Sequence, residues 1–429
     1  PITVYGSGIS TDGAIRSVSG SNSIAGDITL GADVRINADA DTLVLTGDFS
    51  GAHNLTFGGS GNTTINGAIG ISTAAVSKDG SGTLLVTTSN TYKGGTTVSA
   101  GTLTLGNRTA IGSGTLTDNS TVNVSSGLSE VVVQGLSGSG TFNLTNLGSS
   151  ATQLTVGGND ANTSFTGKIT GSGSLVKEGA GTLTLSGASN DFSGGVTISS
   201  GVIRASSNSA LGDIAGGISV SSGAALELNG VSIGAEAITL NGSGVNDGGA
   251  LRAISGTNSY AGLITLASNS RINSDSGTLT LDVASGSAIT GSASYNLTLG
   301  GAGNIAVADP IATPIANLSK DGAGTATLSA TNTYTGSTTI LAGVLSISTD
   351  ANLGATPISA TTNSLVINGG GLLANASFTL NSNRGVTFGA NGATINVASN
   401  YDLTYGGIIA GSGDWTKVGT GRVILQGAN

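Results

Sequence analysis

The sequence predicts an all-β protein, a parallel β-helix (β-solenoid) made of short stacked coils. Apolar and hydroxyl side chains alternate in runs such as 101–105, 181–185 and 277–281, each of which reads Gly-Thr-Leu-Thr-Leu. This alternation is typical of a strand that is buried on one face. Similar units recur along the chain at nearly constant spacing. Glycine provides 73 of the 429 residues and proline only 4, and no segment shows a helical period with caps.

The composition excludes several classes of protein. Only 9% of residues are charged, and the net charge of −9 contains no basic patch, so we expect no nucleic-acid partner. No run of ~18 apolar residues occurs, so we expect no membrane insertion within this segment. Cysteine is absent, which excludes disulfides and thiolate metal sites.

Internal repeats are the most informative feature. Three segments align almost without gaps, at 76–105, 175–205 and 318–347, and a partial copy occupies 415–429. Their landmarks are a lysine, an aromatic residue and a glycine: Lys78, Lys177, Lys320 and Lys417; Tyr92, Phe192 and Tyr334; and Gly101, Gly201 and Gly343. The spacing fits two successive coils of ~20 to 25 residues, so the register is structural.

A longer duplication surrounds these repeats. Segment 2–37 matches segment 238–273 at a constant offset of 236 residues. We therefore expect a single continuous β-helix over 1–429, an elongated rod on the order of 90 Å at ~4.8 Å per coil. Solenoid ends need capping coils, and neither end of the sequence shows one. We expect the native molecule to continue in both directions, by covalent chain or by end-to-end stacking of copies.

Segments 78–84 (KDGSGTL), 90–97 (NTYKGGTT) and 99–103 (SAGTL) carry a family resemblance, together with their counterparts in the other two complete units. They resemble the autotransporter-associated β-strand repeat, which is found in passenger regions of very large bacterial surface proteins. The resemblance implies a right-handed parallel β-helix, export across the outer membrane, and presentation outside the cell or at its surface.

The repeated residues have a structural and a functional interpretation. The lysines are candidates for ligand contacts, but their recurrence at one turn favours a structural role. The aromatic row is a candidate for carbohydrate stacking, yet the exchange of Tyr for Phe192 favours packing. Trp415 stands where Leu175 and Leu318 stand in their units, so we expect it to be a core or cap-adjacent residue.

Catalytic and metal sites find little support. His53 is the only histidine, which nearly excludes a multi-histidine metal site. Segment 230–234 (GVSIG) matches the nucleophile-elbow pattern but lacks the helix that this motif requires. Asp39 and Asp41 are the closest pair of carboxylates, and we interpret them as turn residues because the second block keeps only Asp275. Segment 58–63 (GGSGNT) lacks the aspartate of a calcium repeat. We expect no catalytic residue, no cofactor and no metal.

Three functions remain open. The first is an extracellular structural rod, either a stalk or a filament-forming segment, and we favour it. The second is an adhesin that binds glycans or cell surfaces through loops on the β-helix, for instance within 143–162, which has no copy at the 236-residue offset. The third is an enzyme, which the scarcity of histidine and of clustered carboxylates disfavours. As partners we expect the chain itself, end to end, or a glycan or other cell-surface ligand.

Overall fold

A computed structural model describes residues 1–213 and 215–426, so that the last three positions of the partial repeat 415–429 lie outside the described residues. Parallel strands form nearly all of the regular structure, and helix is limited to three short 3-10 turns within the described part. This confirms the prediction of an all-β parallel β-helix. No helix in the described ranges has the length and apolar character needed to cross a membrane.

The chain forms two compact units, Pro1–Gly216 and Gly217–Asn429. Each unit is a stack of parallel coils. The single continuous β-helix over 1–429 and its right-handed sense stay predictions.

The first unit holds strands β1 to β25 and one 3-10 turn at Ile9–Thr11. The strands are β1 (Ile2–Gly6), β2 (Ile15–Ser17), β3 (Asn22–Ile24), β4 (Ile28–Ala38), β5 (Thr42–Leu45), β6 (Phe49–Ser50), β7 (Leu55–Gly58), β8 (Asn62–Ile65), β9 (Ile69–Gly70), β10 (Val76–Lys78), β11 (Thr83–Val86), β12 (Thr96–Val98), β13 (Thr102–Leu105), β14 (Thr115–Asp118), β15 (Thr121–Val124), β16 (Glu130–Val133), β17 (Gly135–Gly138), β18 (Thr141–Asn143), β19 (Gln153–Val156), β20 (Thr163–Phe165), β21 (Lys168–Thr170), β22 (Leu175–Lys177), β23 (Thr182–Leu185), β24 (Val196–Ile198) and β25 (Val202–Ala205).

The second unit holds strands β26 to β49 and 3-10 turns at Val245–Asp247 and Asp350–Leu353. The strands are β26 (Ile218–Val220), β27 (Ala225–Asn229), β28 (Ser232–Ile233), β29 (Ile238–Gly242), β30 (Leu251–Ser255), β31 (Thr257–Tyr260), β32 (Ile264–Ser274), β33 (Thr278–Leu281), β34 (Ile289–Gly291), β35 (Leu297–Gly300), β36 (Asn304–Val307), β37 (Leu318–Lys320), β38 (Thr325–Leu328), β39 (Thr338–Ile340), β40 (Val344–Ile347), β41 (Thr361–Ile367), β42 (Gly371–Ala374), β43 (Phe378–Leu380), β44 (Arg384–Phe388), β45 (Ala393–Val397), β46 (Asp402–Tyr405), β47 (Ile409–Gly411), β48 (Trp415–Val418) and β49 (Arg422–Leu425).

Strand register shows the length of each coil. In the repeats, register partners in neighbouring coils lie 19 or 20 residues apart, as for Leu84 with Leu103 and Val76 with Thr96. Other coils are longer, with partners 27 residues apart at Ser172. The coil length of the repeats agrees with the sequence-based expectation, while the longer coils carry extra turns on the same scaffold.

The core consists of columns in which one apolar side chain lies directly above the next. In the first unit, Leu84, Leu103, Val122, Phe142 and Ile169 are register partners in consecutive coils. None of these side chains is more than 1% exposed. Threonine alternates with them on the outward face, as the period-two pattern predicts. Burial of these columns is the main source of stability in each coil.

Asp118 is a charged residue inside such a column. It pairs with Val98 on one side and Gly138 on the other, and its side chain is fully buried. One carboxyl oxygen accepts a hydrogen bond from the Ser120 backbone at 3.0 Å. The other, Oδ2, has no donor among the described residues. Burial raises the pKa of Asp118 from 3.8 to about 6, since a buried carboxylate without full hydrogen bonding is disfavoured.

We expect Asp118→Asn to stabilise the chain at pH 7.5 by about 2 kcal/mol, and to leave it nearly unchanged at pH 4. The folded state holds the Asp118 proton more tightly than the unfolded chain does. Stability of the parent chain therefore falls as pH rises from about 4 to about 6, the interval between the unfolded pKa of 3.8 and the folded pKa. Thermal melting of both proteins at the two pH values measures this. An Asn variant that is less stable than the parent at pH 7.5 would contradict it.

Candidate functional site

The repeated lysines of the three complete units lie at the same turn, with 1 to 3% of each residue exposed. Each Nζ donates hydrogen bonds to backbone carbonyls of the turn that follows it and to one carbonyl of the next coil. The acceptors are Gly80 and Ala100 for Lys78; Glu178, Gly179 and Ser200 for Lys177; and Asp321, Gly322 and Ala342 for Lys320. In the partial unit, Lys417 keeps one such bond, to Gly419.

These contacts occupy the charged group of each lysine. An ammonium has three donors, and at Lys177 and Lys320 all three are used within the protein. Burial lowers the pKa of both residues to about 8, and it also lowers the pKa of Lys78, while the carbonyl acceptors favour the charged form. The lysines therefore hold one coil to the next, and no donor of Lys177 or Lys320 is left for a ligand.

The repeated glycines belong to the same corner. Gly101, Gly201 and Gly343 directly follow the next-coil carbonyls that the lysines contact, and their φ angles are 68°, 64° and 62°. A Cβ at any of them would lie 2.4 Å from a carbonyl oxygen of the preceding coil. Glycine thus meets two requirements here, left-handed backbone and close approach of two turns.

A buried asparagine in each unit also links three coils, and it was not among the residues predicted from the sequence. Its side-chain oxygen accepts from a backbone N–H one coil back, and its Nδ2 donates to a carbonyl one coil on. These residues are Asn90 (Ile69 N and Ala110 O), Asn190 (Ile169 N and Ala210 O) and Asn332 (Ile311 N and Asn352 O). Their constant place two residues before the aromatic position was the available signal.

The aromatic side chains are buried in the core rather than arranged on the surface. Tyr92, Phe192 and Tyr334 are at most 1% exposed. The hydroxyls of Tyr92 and Thr96 are 2.6 Å apart, and Tyr334 pairs with a threonine in the same way. In the repeat at 175–205, phenylalanine is accompanied by Val196, so both hydroxyls are missing together. Burial raises the pKa of Tyr92 to about 12. Carbohydrate stacking on these rings is excluded by their position.

The hydroxyl pair predicts a non-additive double-mutant cycle. Tyr92→Phe or Thr96→Val alone removes one hydroxyl and leaves the other without this side-chain partner, although the Tyr92 hydroxyl also has a hydrogen bond with the Gly112 backbone. Each single change should destabilise the chain by about 1 to 2 kcal/mol. The double variant reproduces the Phe192 and Val196 arrangement, so it should be within about 0.5 kcal/mol of the parent. Chemical denaturation of the four proteins measures this. Simple addition of the two losses would contradict the pairing.

The glycine corner predicts a position-dependent effect of alanine. Gly101→Ala should destabilise by about 3 kcal/mol or more, because strained φ and a carbonyl clash add together. Gly127→Ala is the matched control, since Gly127 has φ 82° and a Cβ added there would have no atom within 4 Å. It should lose only about 1 to 2 kcal/mol. Equal losses in thermal melts would argue against the close approach.

A second feature occurs in both copies of the longer duplication: five side chains bonded in sequence across several coils, which we call the arginine–carboxylate chain. In each copy the first arginine donates to an aspartate, and that aspartate also accepts a hydrogen bond from an asparagine. The asparagine oxygen accepts from a second arginine. The guanidinium of this second arginine donates two hydrogen bonds to another aspartate. The members are Arg16, Asp39, Asn37, Arg35 and Asp79 in the first unit, and Arg252, Asp275, Asn273, Arg271 and Asp321 in the second.

The final arginine reaches across an intervening coil. Arg35 Nη1 lies 2.7 Å from Asp79 Oδ2, although the two residues are 44 positions apart. A Cβ at Gly58 of the intervening coil would lie 2.0 Å from Arg35 Nη2, and Gly300 has the same relation to Arg271 at 2.1 Å. The carboxylates next to Lys78 and Lys320 therefore serve arginines two coils away. The repeat of Arg-Ile-Asn at 35–37 and 271–273 marked the arginine and asparagine of this network in the sequence, but not their aspartate partners.

The remaining candidates have structural surroundings. Asp39 lies in the turn between β4 and β5, as expected, and its carboxylate also pairs with Arg16, whose hydrogen bond lowers the pKa of Asp39. Asp41 accepts from the Gly20 backbone at 2.8 Å. His53 is half-exposed, with Nδ1 3.9 Å from Asp33 Oδ1.

The motif 230–234 leads from the short strand β28 to the strand β29, where a nucleophile elbow would require a helix. Segment 58–63 joins β7 to β8, and Asn62 within it accepts from the Thr83 backbone. Within residues 1–213 and 215–426, no group of three or more histidine or carboxylate side chains is placed to hold a metal ion.

Trp415 lies on β48, stacked on Phe388 with 5.6 Å between ring centroids. Trp415 is 37% exposed, so its ring is partly exposed to solvent while one face packs on Phe388. Its register partner is Ala393.

Segment 143–162 contains a small projection from the coil. An antiparallel bridge joins Thr145 to Ala151. Asn146 holds the turn between them, accepting from the Gly148 and Ser150 backbone and donating to the Leu128 carbonyl. Leu147, beside it, is 62% exposed. The chain thus presents one apolar side chain on a hydrogen-bonded turn.

Comparison with known proteins agrees with this architecture. The passenger-associated-transport-repeat family matches residues 76–105, 175–205 and 318–347. The chain is also 37% identical over 138 residues to the adhesin BmaC autotransporter of Brucella suis biovar 1 (strain 1330). That alignment covers 32% of this chain and 4% of the adhesin, so the chain corresponds to a small part of that protein. No solved structure was found to match it.

These similarities indicate an exported or cell-surface location. The matched repeats are the units whose lysine, asparagine, aromatic and glycine positions join neighbouring coils. The three passenger-associated-transport-repeats, the similarity to an autotransporter adhesin and the parallel β-solenoid fold all fit an autotransporter passenger domain.

Proposed function

We propose that the chain is a structural segment of a bacterial surface protein, a stalk that extends the passenger away from the cell. The observation that carries this proposal is the use of the repeated polar groups. Lysine and asparagine side chains of the three units bond backbone groups of adjacent coils. Repeats of this kind build length, because each coil is stabilised by its nearest neighbours.

The duplication supports a scaffold role. Both copies keep the arginine–carboxylate chain with the same order of residues and the same glycine beneath the final arginine. A network that spans four coils, with bonded side chains on three of them, locks their relative rotation as well as their spacing. Nearest-neighbour stability lets a whole block be copied without redesign of its neighbours.

We infer that the segment is not an enzyme. His53 faces a single carboxylate at a long distance, Asp39 and Asp275 are paired with arginines, and the segment 230–234 lacks the geometry of its motif. Catalysis by a carboxylate pair requires two acids facing a common substrate. Asp39 and Asp275 instead face arginines, and Asp41 faces a backbone donor.

An adhesin is the second candidate, favoured by the similarity to the BmaC adhesin and by the exposed turn at Leu147. Binding residues commonly lie on loops that a rigid scaffold positions. Under this proposal the repeats support the binding loops, and a glycan or a cell-surface molecule is the ligand. End-to-end self-association is a further proposal of the stalk function, which sedimentation of the purified chain tests.

A stalk should resist proteolysis independently of salt. The chain has only 14 lysines and arginines, and three of these lysines are buried. We expect slow trypsin digestion at about 0.05 M and about 1 M NaCl alike, because backbone ladders and buried contacts are screened far less than surface ion pairs. A heat-unfolded sample provides the control for trypsin activity. Rapid digestion of the native chain at either salt concentration would count against the stalk.

A further inference from the structure

A polar groove lies on the second unit, beside the second copy of the arginine–carboxylate chain. Its volume is about 370 Å³, within the ~300 to 1,000 Å³ range of small-molecule sites. The polar and charged side chains that line the groove and carry the argument are those of Asn269, Asn296, Thr298, Asp247, Arg271 and Asp321. They come from successive coils, so the register of the solenoid fixes their spacing.

The groove presents unpaired donors. Asn269 Oδ1 accepts from the Asn296 backbone, and Asn296 Oδ1 accepts from Asn317. Their Nδ2 groups and the Thr298 hydroxyl have no hydrogen-bond partner among the described residues. The side-chain oxygens are held by the coils, so the amide orientations are set before any ligand arrives. Pre-organised polar groups lower the entropy lost on binding.

The first unit provides an internal comparison. At the equivalent positions, Asp33 replaces Asn269 and Asn54 replaces Asn296. Asn54 Nδ2 donates to Asp33 Oδ2 at 3.1 Å, while the Asn54 backbone N–H donates to Asp33 Oδ1. In the first unit the Asn54 amide therefore donates to a side chain of the protein. In the second unit the amide groups of Asn269 and Asn296 have no such acceptor among the described residues. One substitution, aspartate to asparagine, accounts for the difference.

The charge of the groove selects the ligand class. Arg271 forms two bonds with Asp321, and Asp247 accepts from Ser243. One cation and two carboxylates leave a local excess of negative charge, which disfavours anionic ligands. Hydroxyl groups both donate and accept, and they match amide donors that stand beside carboxylate acceptors. We propose that this groove binds a neutral saccharide through its ring hydroxyls. The proposal deepens the adhesin function and rests on it.

Saturation-transfer NMR of the 429-residue chain tests the groove with lactose, maltose, cellobiose and diacetylchitobiose, each at about 5 mM. We expect transfer to at least one of these neutral disaccharides. Asn269→Asp should weaken binding at least tenfold, because it recreates the internal bond of the first copy. Thr298→Val should weaken it about fivefold through loss of one hydrogen bond. Asp33→Asn, the mirror change in the first unit, should not weaken binding, because it leaves the groove of the second unit intact.

The outcomes separate this proposal from the stalk function. Transfer to none of the four sugars, unchanged binding by the Asn269→Asp variant, or equal loss in the Asp33→Asn variant would overturn the groove assignment. Binding of a sulfated disaccharide alone would also overturn it. Thermal melts confirm that the variants remain folded, and trypsin resistance continues to report on the stalk whatever the groove binds.

Discussion

The structure depends on satisfying the backbone groups at the corners of stacked coils. Strands on the flat faces pair through ladders, but turns between the faces leave carbonyls and N–H groups that no ladder reaches. In each repeat a buried lysine donates to the turn carbonyls, and a buried asparagine bonds the backbone of the coils on either side of it. The glycine at the same corner has no Cβ, which allows the turns of adjacent coils to approach each other closely enough for these hydrogen bonds. Removal of the lysine or the asparagine side chain would leave buried backbone groups without hydrogen-bond partners.

The duplicated block shows which parts of this arrangement are fixed and which vary. The arginine–carboxylate chain is the same in both copies, since an arginine that crosses a coil needs glycine beneath it and a carboxylate beyond it. The residues around it differ, as Asp33 and Asn269 do, without loss of the coil geometry. The tyrosine and phenylalanine units follow the same rule, because the threonine partner changes with the ring. A scaffold stabilised in this way tolerates local change in loops and grooves, where binding can be added.

Much of the fold follows from local pattern. Alternation of Leu and Thr gives the strands, and the spacing from Lys78 to Gly101 gives the coil length. The structural interpretation of the lysines came from their recurrence alone. The Arg35 contact with Asp79 could not be read from the sequence, because it joins residues two coils apart and depends on the register between them. Asn90 was overlooked since asparagine is common in every turn of this chain. The saccharide groove could not be predicted from the sequence, because only the three-dimensional structure shows which amide groups already form hydrogen bonds within the protein.

The central claim is that adjacent coils pair in one register, about 20 residues apart within the repeats. The absence of cysteine allows a direct measurement by oxidative cross-linking. Cysteines at Thr97 and Thr117, which are register partners on adjacent strands, should form a disulfide rapidly, because the geometry permits it when Cα atoms are about 5 Å apart. Cysteines at Thr97 and Thr115, displaced by two residues on the same face, should not. Efficient cross-linking of the displaced pair in place of the register pair would contradict the account.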